Sequence, residues 1–176
     1  MNFILALCFC AIASAAATQL EPIDITPMVD VSQRLAVIKR TYNTGTPFRC
    51  HSALKLEELP GGNKYKYNLK ARKTTFIGYE FSSGNVEISL ENVPGKEVKR
   101  STYTASYTKT TLTLVHKSEG NDCFVVNVEK NSTLAGCELI VPASHVTKVN
   151  TECENFFTAN CRGTSVQLYE ADCTYN

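Results

Sequence analysis

The chain has 176 residues and carries 18 basic against 17 acidic side chains, a net charge of +1. A balance this close supplies no global field to gather nucleic acid or an anionic membrane. The one basic run, Lys64-Tyr-Lys-Tyr-Asn-Leu-Lys-Ala-Arg-Lys73, alternates with apolar residues and reads as the wet face of a strand.

The order of the chain begins with a leader. Phe3 to Ala13 is almost wholly apolar and is followed by Ala13-Ser-Ala15 and Ala15-Ala-Ala17. Residues 1–17 therefore read as a signal peptide, cleaved near Ala16 or Thr18. The run is shorter than the roughly 20 residues a bilayer span needs, so a secreted, extracellular chain with no membrane span is expected, with residues 18–176 forming one domain. Losing Cys8 and Cys10 leaves six cysteines: Cys50, Cys123, Cys137, Cys153, Cys161 and Cys173. An even count in an exported chain implies disulfides. No closely paired ligands of the C-x-x-C kind remain, and His51, His116 and His145 are scattered, so no metal and no other cofactor is expected.

Thr18 to Pro27 reads as an extended arm. Asp30-Val-Ser-Gln-Arg-Leu35 offers one or two helical turns with Asp30 or Ser32 as N-cap. Strand signals then dominate: Leu35 to Tyr42, Phe48 to Leu56, and a strictly alternating Lys64 to Arg72. Phe76 to Phe81, Ser82-Ser-Gly-Asn85 and Val86 to Leu90 read as a hairpin or a strongly bent strand. Val98 to Tyr107, Thr111 to His116, Cys123 to Val128 and Cys137 to Val141 complete eight or nine strands joined by short turns. This is the meander of an all-β barrel or sandwich. One helix is expected, Asn150 to Asn160, capped by Asn150 or Thr151 with Glu152 and Glu154 in its first turn. Cys153 and Cys161 lie about 80° apart around its axis, so both can face the sheet. No G-x-S-x-G, Walker loop or H-E-x-x-H is present, and no catalytic residue or enzyme activity is expected.

The order of elements resembles that of lipocalins. Cys123-Phe-Val-Val, Cys137-Glu-Leu-Ile-Val, the Cys153 to Cys161 helix and the late Cys173 resemble the tick salivary lipocalins, or tick histamine-binding family. Ile140 stands where that family usually has Trp in its Cys-Glu-Leu-Trp-Val motif. The resemblance implies an eight-stranded up-and-down antiparallel barrel with the C-terminal helix packed outside and a short N-terminal helix. It also implies disulfides Cys50 to Cys173, Cys123 to Cys153 and Cys137 to Cys161, where the sequence alone leaves fifteen connectivities open. Within the family the chain resembles the Japanin-like group, immunomodulators that hold a sterol. Asn131-Ser-Thr is a glycosylation sequon in a hairpin turn.

Strand parity suggests the lining. With Cys123 and Cys137 turned outward to the helix, Phe124, Val126 and Val128 face inward, as do Glu138 and Ile140. Leu112 and Leu114 share a face, as do Tyr103, Ala105 and Tyr107, and Tyr65, Tyr67 and Leu69 join them. A small barrel has room for one ligand, and this apolar, tyrosine-rich set suits a small hydrophobic molecule, a sterol or fatty acid. Sequestering it to modulate a host's immune response is the function the resemblance implies. Glu138 dissents. A buried carboxylate needs a partner, either internal (Arg40, Arg49 or Arg100) or a cationic ligand, and the resemblance implies histamine or serotonin. The absence of Trp and of a second inward acid places that amine reading second. A third is a protein-binding inhibitor of host complement or an immune-cell receptor.

Overall fold

The computed structural model describes residues 20–175; the expected signal peptide, residues 1–17, lies outside them. In chain order the elements are α1 (Thr26–Val29), β1 (Leu35–Arg40), β2 (Arg49–Leu59), β3 (Lys64–Thr75), β4 (Gly78–Asn92), β5 (Lys99–Ala105), β6 (Thr108–Lys117), β7 (Phe124–Lys130), β8 (Thr133–Pro142), α2 (Thr151–Asn160) and β9 (Val166–Gln167), with a 3-10 turn at Ala143–His145. Each strand from β2 to β8 pairs antiparallel with the next, and β1 closes the ring by pairing with both β8 and β2. The result is a closed eight-stranded barrel with a ninth strand outside it.

Closure against β2 is thin. Only Leu35↔Ala53 and Ala36↔Ser52 pair there. Beyond them the tail takes β2's place: β9 pairs with Lys39 and Arg40, and Leu168 lies between the two strands. Its N–H donates to the Ile38 carbonyl at 2.8 Å while its own carbonyl accepts from Cys50 N–H at 2.8 Å. The Cys50–Cys173 disulfide fastens that tail, and Arg72 holds it further along by donating to Glu170 and Asp172.

Alternation sorts the strands into two cores. Phe124, Val126, Val128 and Ile140 face the barrel interior with Tyr65, Tyr67 and Leu114. The intervening Cys123, Val125, Cys137, Leu139 and Val141 form an outer cluster under α2, with Cys153 and Phe157. β7 and β8 are therefore covered on both faces, which is why they read as continuous apolar runs. Cys123–Cys153 and Cys137–Cys161 clamp α2 against them, so all three implied pairings are present. Asn150 caps α2 by accepting from Glu152 N–H, and its own amide reaches Asp122.

Two expectations are corrected. The N-terminal turn of helix is Thr26–Val29, upstream of the Asp30 to Leu35 segment. Pro27 presets the first turn, Asp24 Oδ1 accepts from Thr26 N–H, and Asp30 sits at the C-cap. The segment after it, 31–34, is irregular and not helical, and it places Arg34 where it donates to Asn68 and Ser52. Of the two readings of Phe76 to Leu90, the strand holds from Gly78 onward and the hairpin turning at Ser82 to Asn85 does not. The β3–β4 register runs unbroken from Thr75↔Gly78 to Lys64↔Ser89, and the reversal falls at Phe76-Ile77, followed by Gly78 at φ 135°. That φ is one a side chain would oppose.

Candidate functional site

A cavity of about 550 Å3 occupies the barrel interior. Its closed end is built by α1. Ile25 N–H donates to the Lys99 carbonyl and Ile23 N–H to the Leu114 carbonyl, stitching the arm across the barrel's end. Met28 and Val29 then face the cavity beside Leu35 and Ile88. The Val29 carbonyl, left free at the helix's end, accepts from Lys55 Nζ at 2.7 Å and from Tyr67 Oη at 3.4 Å. Tyr67 thus spends its hydroxyl on the floor and turns its ring to the hollow.

Of the expected lining, Tyr67, Leu69, Tyr103, Leu112, Glu138 and Ile140 all border this cavity. Tyr65, Leu114, Phe124 and Val126 lie in the inner core but are covered by other side chains, so they support the hollow without bordering it. Tyr107 is a correction. It stands wholly exposed in the β5–β6 turn, where Ser106 and Tyr107 both take positive φ, so the strand parity that pointed it inward ends at Ala105. The turn geometry requires left-handed backbone at both central residues, and no Gly or Asn announced it.

One wall carries a polar cluster. Glu138 faces inward, and Tyr42 Oη donates to its Oε1. Burial pushes the Glu138 carboxyl above the ordinary carboxylate range, opposed by the Tyr42 bond and by the charges of Lys130 and Arg40. Burial likewise raises the Tyr42 phenol, with Glu138's charge adding to it. Tyr103 is pushed up to about 12, mainly by burial and then by Glu138. Arg40 is almost fully buried, donating to Thr44 Oγ1 at 2.8 Å with its guanidinium 5.1 Å from the Tyr42 ring centroid. Of the three arginines considered as partners for Glu138, Arg40 is its neighbour across the β1–β8 ladder. Arg100 pairs with Glu91 instead, and Arg49 donates to the Phe48 carbonyl.

Tyr42 was missed by sequence reasoning: the expected strand Leu35 to Tyr42 ended on it, whereas β1 stops at Arg40 and leaves Tyr42 where the connection to β2 sets its direction. His51 was missed as well. It lines the cavity with a buried Nε2 that has no partner, and desolvation, then Arg40, lowers its pKa to about 4. A third missed group is the stretch Ser82 to Asn85, which borders the cavity from the outer half of β4. A second, more open hollow of about 530 Å3 adjoins the first across Leu69, Tyr103 and Ala105, bordered by Tyr42 and Lys130. Glu138 is the one acidic residue in the lining of the main cavity among the described residues.

A closed antiparallel barrel with an external helix, its floor sealed by an N-terminal arm and its interior hollow, is the build of a lipocalin-type binding protein. The family model described as tick histamine binding protein matches residues 16–175, and the chain belongs to that family. Among solved structures it is similar to Japanin from the tick Rhipicephalus appendiculatus bound to cholesterol. The two share 15% identity at a TM-score of 0.58, over 80% of this chain and 95% of that one. No curated protein sequence matches.

Proposed function

We propose that this protein is a secreted carrier that sequesters one small hydrophobic molecule, sterol or fatty-acid-like, in its barrel, and so modulates a host's immune or inflammatory response. The observation that carries the reading is the main cavity. Its volume falls within the roughly 300–1,000 Å3 usual for ligand sites, and its deep half is apolar and aromatic. Affinity would come from apolar area removed from water, at about 25 cal/mol per Å2 less the costs of binding. The sterol in the similar tick structure supports the ligand class. The host role follows the family resemblance. Three disulfides fit an exported chain, and no helix among the described residues is long and apolar enough to cross a membrane. Asn131, exposed in the β7–β8 turn, is the proposed glycan site. Mass spectrometry of a lipid extract from the purified protein, followed by titration with cholesterol, tests the carrier reading. An empty barrel that also ignores cholesterol and fatty acids overturns it.

A second reading, amine scavenging, is favoured by one observation: a carboxylate, Glu138, faces the cavity. Against it, Tyr42 already donates to that carboxylate, Arg40 and Lys130 lie near, and no second acid among the described residues stands in the lining. Calorimetry with histamine and serotonin, repeated on Glu138→Gln, separates the two, since a lipid carrier gives no heat with either amine.

A further inference from the structure

The barrel wall is incomplete at one place. β5 last pairs with β4 at Tyr103↔Ile88, yet β4 runs on outward for ten more residues, Gly78 to Glu87, held by β3 alone. Across this unpaired stretch Ser82, Ser83 and Asn85 on one side and Thr104 and Ser106 on the other border the main cavity, and all five are exposed. The cavity meets solvent along this notch, beside the second, more open hollow that adjoins it across Leu69, Tyr103 and Ala105. Gly84 sits in its middle at an inward position opposite Leu69, and nothing lies within 4 Å of where its Cβ would be. Its backbone is ordinary strand, so the missing side chain leaves space and serves no turn.

The cavity is also polarised along its length. At the sealed end stand Met28, Val29, Leu35 and Ile88. At the notch stand the uncharged Ser82 and Ser106 hydroxyls, while Ser83 and Asn85, on either side of the inward Gly84, turn outward and accept from the Asn68 amide. Among the ionisable groups of the lining, Glu138 accepts from Tyr42, the buried His51 Nε2 has no partner, and the Lys70 ammonium lies 5.1 Å from the Phe81 ring centroid. Lys70 follows the inward-facing Leu69 on β3, so strand parity turns its ammonium to the outer face, away from the hollow. An alcohol or a similar uncharged polar group finds hydroxyls at the notch that can both donate and accept, and a lipid held this way leaves no polar atom stranded in the apolar end.

We propose that the ligand is an uncharged amphiphile that enters tail-first through the β4–β5 notch at Gly84, its apolar end against α1 and its single polar head at the notch beside Ser82 and Ser106. This rests on the carrier reading and adds to it an orientation, a route and a head-group class. The test uses the full mature chain, stripped of lipid, with three probes: cholesterol, cholesterol bearing a polyethylene glycol chain on its 3-oxygen, and a sterol bearing the same polymer at the end of its side chain. The head-tagged sterol binds within a few-fold of cholesterol because its polymer leaves through the notch, whereas the tail-tagged one, with its polymer forced onto the sealed end, loses at least about tenfold. In a second arm Gly84→Trp slows cholesterol association at least about tenfold by filling the notch, while Glu87→Trp, equal in bulk on the outer face opposite Lys66, does not. Cholesterol failing to bind at all removes the carrier reading and this proposal with it. Cholesterol binding while the tail-tagged sterol binds as well as the head-tagged one, or while Gly84→Trp loads at the wild-type rate, removes the orientation or the route and leaves the carrier standing. Should Gly84→Trp not fold, the tagged sterols decide alone.

Discussion

Two buried side chains on the polar wall pull stability in opposite directions as pH changes. His51 is kept neutral by burial and by Arg40, with its folded-state pKa near 4 against an ordinary 6.5. Protonation therefore opposes folding, and the stability of the neutral ring is complete above about 6.5 and is lost as pH falls toward 4. At about 1.4 kcal/mol per unit this amounts to about 3 kcal/mol. In His51→Gln that slope is absent, and urea midpoints recorded between neutral pH and pH 4 should converge on those of wild type at the acid end. Glu138 has the reverse sign, since burial raises its pKa. Its contribution is fullest below the unfolded value and is lost as pH rises through the folded one. The bond from Tyr42 limits that loss. Tyr42→Phe leaves a carboxylate oxygen buried without its donor and costs about 1–3 kcal/mol at neutral pH. The difference from wild type narrows on acidification, as the carboxyl becomes protonated. A difference that stays constant across this range would mean that Tyr42 acts only by filling space.

At the scale of elements, the tail is what makes the ring continuous. β1 has two partners in β2 and no more, and Leu168 occupies the remaining interval with hydrogen bonds to both strands. The Cys50–Cys173 bridge closes a loop with a sequence separation of 123, which in the chain-entropy model is worth about 4–5 kcal/mol. Cys50→Ser combined with Cys173→Ser should lower unfolding free energy by about that amount. Amide exchange should rise first at Leu168, Tyr169 and Cys50, before the β3 to β7 meander is affected. Uniform exchange across all strands would show instead that the tail and barrel unfold as one unit. How far such elements could be read from sequence depended on what marked them. The strands with an apolar or tyrosine-bearing alternation, β3, β7 and β8, were legible together with the faces of Cys123, Cys137, Tyr67 and Phe124, because a pleat admits only one parity when one face is buried. The α2 cap was legible from Asn150. The outer half of β4 was legible only as one of two alternatives, hairpin or bent strand: Ser-Ser-Gly-Asn has turn chemistry, and its continuous pairing with β3 makes it strand. The same overlap of signals hid the notch residues, and the positive-φ turn at Ser106-Tyr107 placed Tyr107 outside. Tyr42 and His51 flank the β1–β2 connection, where partners are set by closure of the ring and not by local pattern.

At the scale of the whole molecule, a barrel holding a hollow of about 550 Å3 forgoes the dispersion contacts that a filled core would supply. Phe124, Leu114 and Val126, each fully buried, supply the packed part, and the two cross-links on α2 and the one on the tail reinforce the wall around the unpacked part. A bound ligand then acts as the missing core. It stabilises only the folded state, by about 2.7 kcal/mol at a hundredfold excess over the dissociation constant. Lipid-stripped protein should therefore melt several degrees below the lipid-loaded form and recover when cholesterol is added. Leu112, which borders the cavity from β6 and packs against the inner core, offers the converse experiment. In Leu112→Trp the indole occupies ligand space, so the stripped variant should melt no lower than stripped wild type while cholesterol no longer raises its melting temperature. The two effects separate a hollow kept for a guest from a core that is merely loose, because filling a loose core raises stability without abolishing any response to ligand. If Leu112→Trp still gains the full increment from cholesterol, the guest lies elsewhere, and the adjoining hollow bordered by Tyr42 and Lys130 becomes the place to look.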